Sequence, residues 1–315
     1  MKEFTFAAIT YNHSDFIIEH LESLKLVIQT YGKGYLTNLV ISDDCSKDDT
    51  VELAKKWVET NRELFYDVKI VVPPENQGIV KNYIQALKNI HTNKFKIIAG
   101  DDLYLCEDIY SISQLSDMVL TPLVSFAGST IVNNSAEFIA KEMIYYRNKN
   151  LKKIIQDKLK YSMYISSPGA MWDLSFADEK MFEILSNYKW IEDIPLYSYL
   201  INKENLNVWF CETPIIAYRS DVGISKNKNH ERAKQYNEEW EKISKSIYTH
   251  RRFKIKFLNP YVYKLFLNRC YIKYIKSSNK QIKSFEKNYL SVKLKAQQVI
   301  GKIYLNADVW KNNNL

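Results

Sequence analysis

The chain has 315 residues, 46% of them hydrophobic and 25% charged, enough to bury one large core or two smaller ones, so it reads as a globular protein. No stretch reaches the roughly 20 apolar residues of a membrane span, and Phe4–Thr10 is too short for the core of a secretory leader, so a cytoplasmic protein is expected. The net charge of +8 is unevenly spread: residues 251–315 carry 15 Lys and Arg against Glu286 and Asp308, a surplus of 13 that leaves −5 on residues 1–250. Cys45, Cys106, Cys211 and Cys270 stand far apart without ligand spacing. That pattern excludes structural zinc and a disulfide scaffold, and predicts ordinary buried thiols.

In chain order, short β-branched runs alternate with longer helical patterns. Phe4–Thr10 reads as a strand, Asp15–Thr30 as a helix, Leu39–Ser42 as a strand and Lys47–Thr60 as a helix. Val68–Val72 then reads as a strand, Ile79–His91 as a helix and Phe95–Ala99 as a fourth strand. This alternation predicts an α/β fold, a mostly parallel sheet flanked by helices. Ligands of such sheets bind beyond the carboxyl ends of the strands. Every strand here ends in polar residues: Thr10, Tyr11 and Asn12 in "TYNHS", Asp43 and Asp44 in "SDDCSKDDT", Asn76 and Gly78 in "ENQG", and Asp101 and Asp102 in "GDD".

Two adjacent carboxylates at the end of an apolar strand raise one another's pKa and cost stability unless something positive accompanies them. A divalent cation is the natural partner, because Mg²⁺ or Mn²⁺ takes oxygen ligands from one or two carboxylates and completes its shell with substrate phosphates and water. Gly100 before the pair would let a substrate approach the backbone closely. The alternative is that Asp-Asp caps the following helix, and the same holds for Ser46 or Asp48 in "DDCSKDDT".

Taken together, these stretches resemble the family 2 glycosyltransferases, inverting enzymes with the Rossmann-like GT-A fold. The resemblance covers roughly residues 3–225 and rests on motifs in order: "AAITYNHSDFIIEHLESL", "LVISDDCSKDDTVELAKKW", "VVPPENQGIVKNYIQALK" with its Asn-x-Gly loop, "IIAGDDLYL" in place of the metal-binding acidic motif, and "YKWIEDIPLYSYLI" with Glu-Asp at a helix start. It implies that Asp43 contacts the nucleotide base, Asp101 the ribose, Asp102 the metal and Lys81 the nucleotide end. It further implies Asp193 as the base that deprotonates an acceptor hydroxyl, with Glu192 as the fallback, and Mn²⁺ or Mg²⁺ as cofactor. For the Glu-Asp pair the alternative is ordinary acids at a helix N-terminus.

Two positions depart from the family pattern. The first carboxylate of the usual Asp-x-Asp-Asp is Ala99, and after Tyr218 and Arg219, the latter expected at the nucleotide, Asp221 takes the place of a His that helps to close the site. "YISSPGAMWDLSF" resembles the segment lining the acceptor cleft, and Trp172 and Trp190 either stack on sugar rings or belong to the core. A sugar-phosphate nucleotidyltransferase would also use carboxylates on such a sheet, but "TYNHSD" lacks the Gly-rich basic loop expected of it. A non-catalytic nucleotide-sugar-binding subunit is the other alternative.

The chain therefore divides, as an expectation, into a catalytic domain over residues 1–225 and a mainly helical region over 226–315. By resemblance, the expected partners are a nucleotide-sugar donor, a UDP-sugar first, and a saccharide or lipid-linked acceptor in bacterial surface-polysaccharide assembly. The basic residues of 251–315, interleaved with Tyr, Phe and Ile, suit contact with an anionic membrane at the inner face of the cell membrane. A solvated basic helix face or an oligomer contact is the other reading, and nucleic acid is disfavoured because the body is acidic and carries no recognition motif.

Overall fold

The computed structural model describes residues 1–132, 151–152, 155–156, 167–222, 230–249 and 279–315. The basic aromatic stretch Arg251–Lys276, the residues Tyr164–Ser166 and the end of the closing loop, Gly223–Ser225, lie outside them.

The four expected strands form one sheet. β1 (Lys2–Thr10), β2 (Tyr35–Asp43), β3 (Asp67–Val71) and β4 (Phe95–Ala99) lie in the order β3-β2-β1-β4, with every neighbouring pair parallel. The chain builds outward from β1 to β3 and then crosses to the far side of β1, so the strand order reverses between β1 and β4, the crevice where open α/β sheets bind ligands. Helices α1 (Ile17–Tyr31), α2 (Thr50–Thr60) and α3 (Ile79–Lys88) make the crossovers.

The period of two along the strands sorts side chains onto two covered faces. Phe4, Phe6, Ala8, Leu39, Ile41 and Ile98 pack with α1, α2 and Tyr110, while Ala7, Val40, Phe95 and Ile97 pack with α3. Two helices begin later than their apolar periodicity suggests, Ile17 instead of Asp15 and Thr50 instead of Lys47. The intervening backbone is bonded across the two loops: the N–H groups of Asn12, His13 and Ser14 donate to Ser46 Oγ, Thr50 Oγ1 and Asp48 Oδ2. α3 stops at Lys88 rather than His91 because the Asn89 side chain turns back to donate to the Gln85 carbonyl (2.9 Å).

Beyond β4 come β5 (Leu103–Tyr104), α4 (Ile109–Ser113), β6 (Met118–Leu120), β7 (Leu123–Ala127), β8 (Thr130–Ile131) and β9 (Ala170–Trp172). Then follow α5 (Glu179–Leu185), α6 (Asp193–Leu200), β10 (Val208–Phe210), β11 (Ile216–Arg219), α7 (His230–Thr249) and α8 (Asn279–Asn314). The later strands form two small mixed sheets, β10-β6-β9 and β5-β11-β7-β8. β11 matters most to the site, since it pairs with β5 directly after the Asp101–Asp102 turn.

α8 returns to the first half of the chain. Its buried residues Ala296, Ile300, Ile303, Ala307 and Trp310 recur at alternating steps of four and three, one face of a helix, and join the same clusters as Leu26, Phe4 and Trp57. Trp310 Nε1 donates to Thr60 Oγ1 (3.1 Å), and the Gln297 side chain accepts from Ile131 N (3.0 Å) and donates to Ser129 O (2.7 Å). On the sheet itself, Lys96 is fully buried, with Nζ donating to the carbonyls of Pro168 (2.6 Å) and Ala170 (2.7 Å). The thiols of Cys45, Cys106 and Cys211 are free and half-buried, not buried as expected, because each sits at a loop or strand end rather than in a sheet interior. Trp172 is core, edge-on to Phe95, and Trp190 is half-buried beneath the Lys189 ammonium.

Candidate active site

The loops at the carboxyl ends of the strands are bound to one another by their own polar side chains. Thr10 Oγ1 donates to Asp43 Oδ2 (2.7 Å), and the same carboxylate accepts from the Ser46 amide (2.7 Å) and hydroxyl (2.6 Å). Asp44 reaches the other way, accepting from the amides of Gln77 (2.7 Å) and Gly78 (2.8 Å), while Asn76 Nδ2 donates to the Asp44 carbonyl. Burial raises the Asp44 pKa and those two amides oppose the rise. Asn12 Oδ1 accepts from the Lys47 amide (2.8 Å) with Asn12 itself at φ 55°. Tyr11 is half-buried, and Lys81 is exposed on the first turn of α3.

Gly78 has φ +93°, open to glycine and strained for other residues, and a side chain there would meet Lys189 Cγ at 2.8 Å. Gly100 is required for a different reason from the expected one. A Cβ on it would lie 2.6 Å from Thr10 Cγ2 and 3.1 Å from His13 Nδ1, so the close approach is made by the chain's own first loop.

The Asp101–Asp102 turn is held from behind by Arg219 at the end of β11. The Arg219 amide donates to Asp102 Oδ1 (2.9 Å) and Nε to the Asp101 carbonyl (2.8 Å). Nη1 donates to Tyr304 Oη on α8 (2.8 Å) and Nη2 to Glu19 Oε2 on α1 (2.6 Å), with the guanidinium 4.6 Å from the ring centres of both Phe16 and Phe126. Arg219, expected at the nucleotide, is 3% exposed with its donors spent inside the protein. Asp221 accepts from the Gly128 amide (2.9 Å), and Tyr304 donates to the Gly128 carbonyl (2.7 Å), so the position that departs from the family pattern ties β11 to the β7–β8 turn. Asp101 is half-buried and Asp102 is buried. Burial first and Asp101 second push the Asp102 carboxyl well above the usual carboxylate range, against the Arg219 amide and charge. Such an under-compensated carboxylate pair fits a divalent cation, which could be held by Asp101 and by the second oxygen of Asp102 together with substrate phosphates. Among the described residues no group of three or more His, Cys, Asp or Glu side chains comes together as a complete protein-only metal cage.

The second carboxylate pair opens α6, with Glu192 at the N-cap and Asp193 in the first turn. Asp193 Oδ1 accepts from the Ile194 amide (2.7 Å). Burial, then the charge of Asp193, push Glu192 up to about 8, and burial pushes Asp193 up to about 6 against the Ile194 amide. The two titrate as a pair, so near neutral pH they share a proton between them. This pair is joined to the strand-end loops: Lys189 packs on Gly78, and the Lys189 carbonyl accepts from the Val80 amide (3.2 Å). Sequence reasoning missed Glu239 of α7, whose carboxylate accepts from the amides of Lys189 (2.5 Å) and Trp190 (2.8 Å), and it missed the Glu19–Arg219–Tyr304 set. Each joins residues 49 or more positions apart, for which the sequence carries no local signal.

A parallel sheet with its switch point at β1 and β4, polar loops on that edge, and carboxylate pairs at a strand end and at a helix start define an α/β protein of the GT-A type. The family model for glycosyl transferase family 2 matches residues 5–182, more than half of the chain, and the chain belongs to that family. The match contains the first four motifs and ends before Glu192 and Asp193.

Among solved structures, the mannosyltransferase PcManGT from Pyrobaculum calidifontis, in complex with GDP-Man and Mn²⁺, is 13% identical with a TM-score of 0.51, covering 98% of this chain and 87% of its own. TarS 1–349 of S. aureus in complex with UDP-GlcNAc is 14% identical with a TM-score of 0.49, covering 100% of this chain and 93% of its own. The UDP complex of TarS 1–349 is 18% identical with a TM-score of 0.47, covering 70% of this chain. In that alignment the chain spans 61% of TarS 1–349, and it spans 37% of the chain in another TarS crystal structure. No curated protein sequence matches the chain.

Proposed function

We propose that the chain is an inverting glycosyltransferase that moves a sugar from a nucleoside-diphosphate sugar, a UDP-sugar first, to a hydroxyl of a saccharide or lipid-linked acceptor in the assembly of a cell-surface glycan. The observation that carries this reading is the continuous set of contacts from one carboxylate pair to the other, through Gly100, Thr10, Asp43, Asp44, Gly78 and Lys189. It supports a site whose two acidic pairs share these loops, one at a strand end and one at a helix start. Asp101 and Asp102 would hold Mn²⁺ or Mg²⁺, which when bound supplies Lewis-acid stabilisation to the departing diphosphate. Asp43 and Asp44 fix the loops that receive the nucleotide, Asp43 by bonding Thr10 and Ser46, Asp44 by bonding Gln77 and Gly78. Lys81, exposed on the first turn of α3, would meet the nucleotide end of the donor.

The acceptor hydroxyl loses its proton to Asp193. A carboxylate pair that shares one proton near neutral pH suits a general base, and resemblance to the family favours Asp193, with Glu192 as the fallback. Residues 251–315 would meet an anionic membrane from the cytoplasmic side, supported by their charge surplus and by Leu290, Leu294, Leu305 and Val309, which are exposed on α8.

The test is release of nucleoside diphosphate from UDP-glucose, UDP-N-acetylglucosamine and GDP-mannose with Mn²⁺ or Mg²⁺, in the parent chain and in Asp193→Asn. We expect a loss of roughly 10²–10⁴-fold in turnover with donor binding nearly unchanged, the usual size of a general-base contribution. The acid limb of the parent's pH profile should fall near pH 6, the lower of the pair's two values. Undiminished turnover in Asp193→Asn would sink the assignment, and a loss in Glu192→Gln instead would exchange the two roles. Pyrophosphate release from a nucleoside triphosphate and a sugar phosphate would mark a nucleotidyltransferase, and donor binding without turnover a non-catalytic subunit.

A further inference from the structure

We propose that Glu239 on α7 is a positioning residue that sets the Glu192–Asp193 pair, acting as a clamp on the four residues ahead of it. The inference rests on the reading of that pair as the site of the base. Both oxygens of the Glu239 carboxylate are used, Oε1 on the Lys189 amide (2.5 Å) and Oε2 on the Trp190 amide (2.8 Å). Charge-assisted bonds to two successive amides fix both the position and the direction of the backbone that enters α6. One turn further along α7, Lys242 Nζ donates to the Asn187 carbonyl (3.1 Å) and lies 5.3 Å from the Tyr188 ring centre. Residues 187–190 are thus gripped from α7 on one side. On the other side they rest on α3, through the Val80 amide to the Lys189 carbonyl and the Lys189 stem against Gly78.

α7 can serve as an anchor because it is itself fixed. Ile243 is buried in the cluster that holds α3 and α6, and Tyr236 and Trp240 pack against that cluster. The donor-side loop does not need this grip, since Asp44 holds the Gln77 and Gly78 amides independently. The clamp therefore bears on the carboxylate pair rather than on nucleotide binding. The charged and titratable groups facing Glu192 are Asp193 and Tyr197 on α6, Tyr83 on α3, and Tyr236 and Glu239 on α7. Glu239 is thus an anion that also raises the proton affinity of Glu192. It couples geometry to charge.

Glu239→Gln keeps the volume but turns an NH₂ toward one of the two amides, so one bond is lost and a donor faces a donor. With the UDP- and GDP-sugar panel as probes, we expect kcat to fall roughly 10- to 100-fold, as for a small misplacement of a reacting group, while the donor KM stays within about twofold. The limb of the pH profile set by the pair should move to lower pH, because a neutral neighbour raises a carboxyl less than an anion does. Glu239→Asp, which keeps the charge and shortens the reach, should restore the pH limb but only part of kcat.

Two measurements need no substrate. Hydrogen exchange at the Lys189 and Trp190 amides should accelerate in Glu239→Gln, and the Glu192 carboxyl, followed by ¹³C NMR, should titrate at lower pH than in the parent. Unchanged exchange at both amides overturns the proposal. So does a lowered melting temperature accompanied by unchanged kcat, KM and pH limb, since Glu239 would then only hold α7 down. If Asp193→Asn and Glu192→Gln both keep full turnover, the base reading fails on its own, whereas the exchange and titration results still decide whether the clamp exists.

Discussion

Lys96 is the most exacting single residue in the sheet. A fully buried ammonium is tolerated because two carbonyls, those of Pro168 and Ala170, accept from it, yet burial pushes its pKa from 10.5 down to about 7. Between those values the unfolded chain holds a proton that the folded chain has released, so the Lys96 contribution to stability rises with pH across that window and is flat below it. The neutral amine still has two N–H groups, one for each carbonyl, so the bonds survive the change. Lys96→Met should cost on the order of 1–3 kcal/mol by leaving both carbonyls unsatisfied. It should also remove up to about 1.4 kcal/mol per pH unit of pH dependence above pH 7. Urea midpoints of both chains at pH 6.5, 8 and 9.5 check this; a gap between parent and variant that is constant with pH would count against a depressed Lys96.

The sequence announces neither Lys96 nor Arg219 in these roles. Lys96 reads as the one charged residue of an otherwise apolar strand, and its burial depends on a segment more than 70 positions away covering that face. Arg219 is legible as a conspicuous cation beside the site, but its saturation by Glu19, Asp101, Asp102 and Tyr304 is set by tertiary packing. In contrast, Asp43, Asp44, Asn76 and Gly78 could be read as one unit, since polar ends of parallel strands must face one crevice.

At the scale of elements, the first half of the fold is legible because each strand and helix carries its own period. The boundaries err where side chains rather than backbone satisfy the amides, as at His13, Ser14 and Thr50. Residues 226–315 are legible as mainly helical, but their composition does not say which face of α8 is apolar or what it packs against. It covers α1 and reaches the site through Tyr304, whose hydroxyl donates to Gly128 O and accepts from Arg219 Nη1. Tyr304→Phe removes both bonds, and since the one to Gly128 is exposed to water we expect a loss of about 0.5–1.5 kcal/mol in stability. Donor turnover should weaken as the Asp101–Asp102 turn loosens. Denaturant titration together with diphosphate release checks both, and a stable, fully active Tyr304→Phe would show that α8 supports the fold without reaching the site.

Across the whole molecule, charge is divided between an acidic body and a basic final segment. No helix among the described residues is long and apolar enough to cross a membrane. Leu294 and Leu305 are exposed on the side of α8 away from Ile300 and Ile303, while Lys293, Lys302 and Lys311 lie along the same helix. Cutting the chain near residue 249 would bare the buried face of α8's binding site as well, so the informative variant is Leu294→Gln with Leu305→Gln, which spares the core. Each Lys or Arg near an anionic surface contributes about 1 kcal/mol, so sedimentation with phosphatidylserine-containing vesicles should be measurable at low salt and should vanish at high salt. The double variant should bind several-fold less by losing two apolar contacts. Equal, negligible sedimentation of both chains would remove the membrane contact from the proposal.

The bond from Trp310 to Thr60 spans 250 positions, and α8 as a whole closes over elements made at the start of the chain. Contacts of such sequence separation come late in folding, because the entropy of closing so large a loop is spent before they reward it. The α/β layer can therefore form with its α1 flank open until α8 docks on it. Arg219, and with it the acidic turn, reaches its final setting only once Tyr304 arrives, so the geometry of that turn is coupled to the slowest-closing contacts of the fold.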